Sequence, residues 1–159
     1  MAETDLPAVV AIAAEIHVAH PERDAVFAER LRLYPAGCMI LGRDGATLGY
    51  AIAHPWRRAA PPALDTFLGA LPREPDCLYL HDVAVRPPAR GQGAAATLLR
   101  RLDGLARDIG MPRIALVAIP GTARFWRGLG FVAVENPDPA ISGDGYGAGA
   151  ALMERPVRA

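Results

Sequence analysis

The pattern of apolar and polar positions divides the chain into segments with helical spacing and segments with strand spacing. Apolar residues recur every three or four positions in four segments, which are predicted as helices. These segments are residues 5–17, 24–33, 94–109 and 122–129. The third places Leu98, Leu102, Leu105 and Ile109 on one stripe, and Gly110 follows it as a stop signal.

Shorter apolar runs predict six strands, and their order along the chain indicates the fold class. The runs are residues 38–41, 47–53, 77–85, 113–119, 131–134 and 150–157. Asp44 and Gly45 between the first two runs are typical of a tight hairpin turn. Because a hairpin is followed by strand–helix–strand units, the sequence predicts an α+β fold with a mixed sheet rather than a doubly wound one.

Two long polar connections interrupt this pattern. Residues 54–76 are rich in proline and contain one apolar segment, 64–71, that is predicted as a helical turn. A connection of this length inside a compact domain is usually functional or mobile. Residues 136–149 are predicted as a loop. No repeat or linker divides the chain, so residues 1–159 are predicted as a single domain.

Composition and charge narrow the class of protein. The 159 residues are 52% apolar and 21% charged, which is typical of a globular domain. Zero net charge gives no reason to expect a nucleic acid or an anionic membrane as partner. All 17 cationic residues are arginine, which is typical of a GC-rich genome. Without a signal peptide or an apolar run of membrane length, we expect a soluble, cytoplasmic, bacterial protein.

The two cysteines, Cys38 and Cys77, lie far apart and in no metal-binding spacing. Buried free thiols are the favoured interpretation, and a disulfide or a catalytic thiol is the alternative.

The strongest chemical signal is the stretch RPPARGQGAAATLLRRL, residues 86–102. Here a strand is followed by a glycine-rich turn and then by a helix, whose first N–H groups lack partners inside the helix. Such a turn is a site for phosphate. Gly91 and Gly93 would let an anion approach the backbone, and Arg90 adds a guanidinium. The alternative is an ordinary tight turn with a solvated arginine.

Two nucleotide-binding motifs fit this stretch poorly. Gly91 to Ala96 match G-x-G-x-x-A, but five residues separate the glycines from the preceding strand. The next strand also ends without the acidic residue that a nicotinamide or flavin enzyme needs. No Lys-Ser or Lys-Thr follows the glycines, which argues against a P-loop.

The stretch VAVRPPARGQGAAATLLRRL resembles the acetyl-CoA-binding motif of the GCN5-related N-acetyltransferase (GNAT) family. Arg90, Gly93 and Ala95 occupy the positions of that motif. TDLPAVVAIAAEIH resembles the first helix of the family, and ARFWRGLGFVAV its last helix and the following strand. The resemblance implies a mixed, mostly antiparallel sheet with a splayed parallel strand pair, flanked by about four helices.

The resemblance also implies a cosubstrate and a reaction. Acetyl-CoA would place its pyrophosphate on the turn and its pantetheine arm along the preceding strand. The turn residues are Arg90, Gly91, Gln92, Gly93, Ala94 and Ala95, and the strand residues are Val83, Ala84 and Val85. The acetyl group would pass directly to a primary amine on a small molecule or a peptide, with no metal ion. Homodimers are common in the family, so the resemblance leaves a homodimer open.

Three residues are candidates for catalysis. His81, in a strand that resembles that of the arylalkylamine acetyltransferases, is the candidate base that deprotonates the amine, and a purely structural role for a lone strand histidine is the alternative. Asp82 follows it and could cap, pair with an arginine or orient a water molecule. Strand alternation places Tyr79, His81, Val83 and Val85 on one face and Leu80, Asp82 and Ala84 on the other.

The protonation of the departing thiolate is where this sequence departs from the family. Many members carry a tyrosine in the last helix, and Trp126 stands there instead. An indole cannot act as an acid, so Trp126 is expected to pack or to line the cofactor channel. Tyr146 is the candidate substitute, and a loop aromatic without a catalytic role is the alternative. The change also motivates a second hypothesis, a non-catalytic acyl-CoA binder or sensor.

In the family the acceptor lies between the first two helices and the connection after the hairpin. The residues that could form it here are His17, His20, Glu22, Asp24, His54, Trp56 and Phe67. The carboxylates could meet an ammonium group or could be solvated surface charges, and the histidines give no metal set. The family also opens with a strand before its first helix, whereas only residues 1–4 stand there. We expect that strand to be very short or missing from the sheet.

Overall fold

A computed structural model describes residues 1–135 and 146–158 of the chain. Its helices are α1 (Leu6–Ile16), α2 (Asp24–Leu33), α3 (Ala94–Asp108) and α4 (Ala123–Gly128). Its strands are β1 (Cys38–Arg43), β2 (Ala46–Trp56), β3 (Cys77–Val85), β4 (Arg113–Ala118), β5 (Val132–Ala133) and β6 (Ala151–Pro156). The predicted α+β fold is confirmed. Most of the loop predicted over residues 136–149 lies outside the described residues. None of the described helices has the length and apolar character that crossing a membrane requires.

The six strands form one sheet in the order β1-β2-β3-β4-β6-β5. Neighbouring strands run antiparallel except for β3 and β4, which are parallel. The hairpin turn between β1 and β2 is confirmed, since Asp44 and Gly45 both have positive φ angles, 51° and 77°. In the described part of the chain, no strand precedes α1; Glu3–Asp5 form a 3-10 turn instead.

The parallel pairing of β3 with β4 is short, and this leaves a gap between the two strands. Only Leu78 with Ile114 and Tyr79 with Ala115 are paired between β3 and β4. Beyond Tyr79 the two strands diverge, as the resemblance implies. The edge of β3 that faces β4 therefore has backbone N–H and C=O groups with no strand partner from Leu80 onward.

Two hydrophobic cores cover the two faces of the sheet. On one face α1 and α2 pack against β2 through buried residues that include Val9, Ile12, Phe27, Tyr50 and Ile52. On the other face α3 and α4 pack through Leu99, Leu102, Ala106 and Trp126. Each large apolar side chain so buried contributes about 1.5–3 kcal/mol to the free energy of unfolding.

The predicted stripe of α3 faces the core: Leu102 is buried with Leu99 and Ala106, and Leu98, Leu105 and Ile109 pack partly buried against the same cluster. Asp103 is buried as well, although its charge assigns it to the outer face. Its carboxylate accepts a hydrogen bond of 2.8 Å from buried Arg155 and another from the backbone N–H of Arg158. A hydropathy pattern cannot anticipate a buried ion pair between distant segments.

A β-bulge in β3 overturns the predicted alternation of its side chains. Asp82 pairs with Ile52 and Leu80 pairs with Ala53, so His81 is an extra residue with no partner on β2. As a result His81 and Asp82 lie on the same face as α1 and α2, together with Tyr79 and Ala84. Val83 joins Leu80 on the opposite face.

The long connection 57–76 is held against α2 by hydrogen bonds. The buried Glu29 carboxylate accepts the N–H groups of Leu68 and Gly69, and buried Arg30 donates to the carbonyl of Thr66 at 2.8 Å. The helical turn predicted over 64–71 is wrong, because these backbone groups bond to α2 instead of to each other.

Candidate functional site

The glycine turn presents open backbone in front of α3. Gly91 and Gly93 have φ angles of 73° and 79°, which favour glycine over any other residue. A Cβ added at either position would meet no atom within 4 Å, so the space in front of the turn is free. No side chain caps α3 at its N-terminus. Its first N–H groups are therefore available to an anion.

Three side chains, two from the turn itself and one from β1, hold the turn in shape. Arg90 donates from Nε to the carbonyl of Val85 at 2.8 Å and so ties the turn to the end of β3. Gln92 donates to the carbonyl of Pro88 at 2.7 Å and accepts a hydrogen bond of 2.5 Å from Arg43. The sequence analysis missed Arg43, because nothing in the hairpin sequence signals that β1 ends beside this turn.

One cavity of about 1480 Å³ joins the glycine turn to the opposite side of the sheet. Residues 90–97 line one end of the cavity. Two aromatic residues of α4, Trp126 and the exposed Phe125, also line it. The divergent parts of β3 and β4 form the middle. The other end is lined by residues of α1, its following loop and β3, including His17, His20, Glu22 and His81. The cavity thus passes through the gap that the short parallel pair leaves open.

His81 lies in this cavity with a buried carboxylate beside it. Its Nε2 is 3.2 Å from Oε2 of Glu22, and the two side chains are 0% and 4% exposed. Among the described residues, its Nδ1 has no hydrogen-bond partner. The ring therefore has one nitrogen held by a carboxylate and one that is itself buried and has no partner.

Asp82 belongs to a second polar group on the same face. Its two carboxylate oxygens lie 2.9 Å from Nε2 of His17 and 2.5 Å from the Tyr50 hydroxyl, which donates to it. Burial opposes its ionisation, but these two contacts outweigh burial and lower the pKa of Asp82. The contact with Asp82 in turn raises the pKa of His17. Of the roles left open for Asp82, the structure shows pairing, with a histidine rather than an arginine.

Trp126, at the position of the family's tyrosine, and Tyr146, its candidate substitute, lie on opposite faces of the sheet. Trp126 is 9% exposed and packs edge-on against Phe131 while lining the cavity. Tyr146 is buried, and its hydroxyl lies 3.1 Å from that of Tyr79 and donates to the carbonyl of Pro62 at 2.7 Å. Tyr146 also lines the cavity, on the side of the acceptor residues.

The predicted acceptor residues divide into three groups. His17, His20 and Glu22 line the large cavity, and with Asp24 and Asp82 they also line a smaller one of about 120 Å³ beside α1. Burial lowers the pKa of His54 to about 3, and its ring packs against Trp56 and Tyr79. Phe67 is exposed beneath the Arg23 guanidinium, 5.1 Å away. The structure therefore separates His54, Trp56 and Phe67 from the cavity lining.

Cys38 and Cys77 are buried free thiols, as predicted. Burial raises their pKa values to about 11 and about 12, so neither is a nucleophile at neutral pH. Among the described residues, no group of three His, Cys, Asp or Glu side chains is arranged to hold a metal ion.

The pairing of His17 with Asp82 predicts a specific pH dependence of stability. A histidine whose pKa is raised on folding adds stability below its unfolded value, about 6.5, and loses it as the pH rises through the folded value. Asp82→Asn should therefore lower the free energy of unfolding more at about pH 5.5 than at about pH 9. Urea unfolding at both pH values measures this, with the exposed Asp44→Asn as control. An equal loss at both pH values would show that the pair does not form.

Comparison with known proteins gives the family. Residues 7–131 match the family model described as the acetyltransferase (GNAT) family. No curated protein sequence matches the chain.

Solved structures share the fold at low sequence identity. Ard1 from Thermoplasma volcanium matches with a TM-score of 0.73 and 19% identity, over 100% of this chain and 95% of that one. The ribosomal-protein-S18-alanine N-acetyltransferase from Escherichia coli gives 0.66 and 21%, over 100% and 92%. The GNAT-like decarboxylase GphF, in complex with isobutyryl-CoA, gives 0.74 and 19%, over 99% and 97%. The chain belongs to the GNAT acetyltransferase family.

Proposed function

We propose that the protein is an acetyl-CoA-dependent N-acetyltransferase that transfers an acetyl group directly to a primary amine. The observation that carries the proposal is the single cavity that joins the glycine turn, the gap between β3 and β4, and His81. A cofactor held at one end would thereby meet an acceptor that enters from the other.

The residues at the glycine turn fit the diphosphate of acetyl-CoA. A Cβ added at Gly91 or Gly93 would meet no atom within 4 Å, and the uncapped N-terminus of α3 adds a partial positive charge. The free edge of β3 over Val83, Ala84 and Val85 would pair with the amides of the pantetheine arm. When bound, acetyl-CoA supplies an activated acetyl thioester, and a free N–H of β3 would polarise its carbonyl.

His81 would accept the proton of the attacking amine. The contact with Glu22 leaves Nδ1 as the nitrogen without a partner, and because that atom is buried it would take the proton through one water rather than by direct contact with the amine. Asp82, ionised beside His17, would place negative charge near the incoming ammonium group and favour its entry. No residue forms a covalent bond to the acetyl group in this scheme.

Tyr146 remains our candidate for protonating the thiolate, since Trp126 cannot supply a proton. The hydroxyl of Tyr146 donates to the Pro62 carbonyl and lies 3.1 Å from the hydroxyl of Tyr79. To act as the acid it would turn from Pro62 to the thiolate, and water in the cavity would then return its proton. Water in the cavity is the other source.

The acceptor is a small-molecule or peptide amine. The cavity end beside α1 is lined by Ile16, His17, His20 and Glu22, which combine an apolar wall with ionisable groups. One solved structure with this fold is described as an N-acetyltransferase of a ribosomal-protein alanine, and another as a phosphinothricin acetyltransferase in complex with acetyl-CoA. These descriptions support both acceptor classes and acetyl-CoA as donor.

A thiol-release assay tests the function. The protein, acetyl-CoA and a panel of primary amines and peptides are combined, and each tertiary-amine analogue serves as the matched control because it has no N–H to lose. We expect at least one primary amine to release CoA more than tenfold faster than its control, with the N-acetyl product seen by mass spectrometry. Tight acetyl-CoA binding without amine-dependent release would favour a non-catalytic acyl-CoA sensor, the candidate that Trp126 motivates.

Gly93→Glu should abolish acetyl-CoA binding. A carboxylate at this position would enter the open space before α3 and repel the diphosphate. Gly93→Ala is the control, because it carries the same backbone strain at a φ of 79° without the charge. We expect calorimetry to show a loss of more than 100-fold for Gly93→Glu and a much smaller one for Gly93→Ala. Equal affinities for the two variants would contradict a diphosphate at this turn.

His81→Ala should slow the reaction without weakening the binding of acetyl-CoA. Loss of a general base typically costs about 100-fold or more in rate. We expect kcat to fall by about 100-fold, the acidic limb of the pH–rate profile to disappear, and acetyl-CoA affinity in calorimetry to stay within threefold. A pH–rate profile identical to that of the wild type would remove His81 from this role.

A further inference from the structure

Glu22 lies in the connection between α1 and α2, where its sequence neighbours give it no specific role. The sequence predicts that its carboxylate either is solvated at the surface or meets the ammonium group of the acceptor. The structure instead buries it to 4% exposure and gives both of its oxygens protein partners. A buried carboxylate with both oxygens engaged is held in one orientation.

The two oxygens of Glu22 contact different parts of the site. Oε2 lies 3.2 Å from Nε2 of His81, and Oε1 accepts the backbone N–H of Asp65 at 2.8 Å. Asp65 belongs to the connection 57–76 and binds Arg23 through its carboxylate and its carbonyl. Glu22 therefore joins His81 to this connection through one side chain.

The other groups around His81 do not contact its ring nitrogens. His54 and Tyr79 pack with ring centroids 6.0 and 6.4 Å from its own, and burial keeps His54 neutral by lowering its pKa to about 3. Asp82, its chain neighbour, is bound to His17 and Tyr50. Among the described residues, Glu22 is thus the group that decides which ring nitrogen carries the proton.

We infer that Glu22 is a positioning residue for His81. It holds the His81 tautomer that is protonated at Nε2 and so keeps Nδ1 as the proton acceptor. Its second oxygen couples that tautomer to the position of the Asp65 backbone. The inference rests on the proposed function for its catalytic meaning, but the tautomer itself is a property of the protein alone. A carboxylate only accepts hydrogen bonds, so its partner nitrogen on a neutral ring must carry the hydrogen.

Glu22→Gln is the sharpest variant because an amide has one acceptor oxygen in place of two. The N–H of Asp65 can only donate, so it would claim that oxygen. The amide NH₂ would then face Nε2 of His81 and require it to accept. The tautomer would switch to protonated Nδ1, and the proposed proton acceptor would be lost.

Nitrogen-15 NMR of histidine-labelled full-length protein measures the tautomer without any substrate. His81 is assigned from the spectrum of His81→Ala. We expect protonated Nε2 in the wild type and protonated Nδ1 in Glu22→Gln. Glu74→Gln, an exposed acid of the same connection, should leave the spectrum of His81 unchanged. A wild-type ring protonated at Nδ1 would overturn the inference even if Glu22→Gln does not fold.

Steady-state kinetics give a second test of Glu22, with an amine that the thiol-release assay has identified as a substrate. We expect Glu22→Gln to lower kcat by at least 30-fold with acetyl-CoA affinity within threefold, and Glu74→Gln to match the wild type. A variant that only loses thermal stability, with kcat within threefold and the His81 tautomer unchanged, would overturn the inference. If no amine reacts, the proposed function fails while the tautomer measurement still decides the role of Glu22.

Discussion

The site depends on one constraint: β3 and β4 stay together for only two residue pairs. The divergence that follows leaves backbone groups of β3 unpaired at the middle of the sheet, where such groups are normally bonded. A ligand that supplies hydrogen bonds along an extended arm satisfies them. The glycine turn lies at one end of the resulting gap and His81 near the other, so the same divergence positions both.

The glycine turn and the order of elements could be predicted from the sequence because their signals are local. Gly91 and Gly93 directly precede the apolar stripe of α3, and their spacing alone indicates open backbone at a helix start. The hairpin turn at Asp44 and Gly45 follows in the same way. These features depend on the conformations that individual residues allow, which neighbouring residues reveal.

The placement of His81 and Asp82 on one face of β3 could not be predicted. Regular alternation puts His81 and Asp82 on opposite faces of β3, and the bulge at His81 puts both on the acceptor side. A bulge depends on the register with β2, which no local pattern in β3 records. The roles of Glu22, Glu29 and Arg43 escaped prediction for a related reason, since their partners lie far away along the chain.

Membership of the GNAT family establishes the fold and the coarse class, and the reaction must be argued from side chains. A GNAT-like decarboxylase shares this fold as closely as Ard1 does. The features that favour amine acetylation here are side chains of this site. They are the buried His81–Glu22 pair, the ionised Asp82 and the end of the cavity that these residues line.

A crystal structure of the protein with acetyl-CoA is the most direct test. The account predicts the diphosphate on the amides of residues 91–95, the pantetheine arm paired with Val83 to Val85, and the thioester in the gap between β3 and β4 on the side of His81. A nucleotide bound elsewhere, or an empty gap at saturating acetyl-CoA, would contradict it.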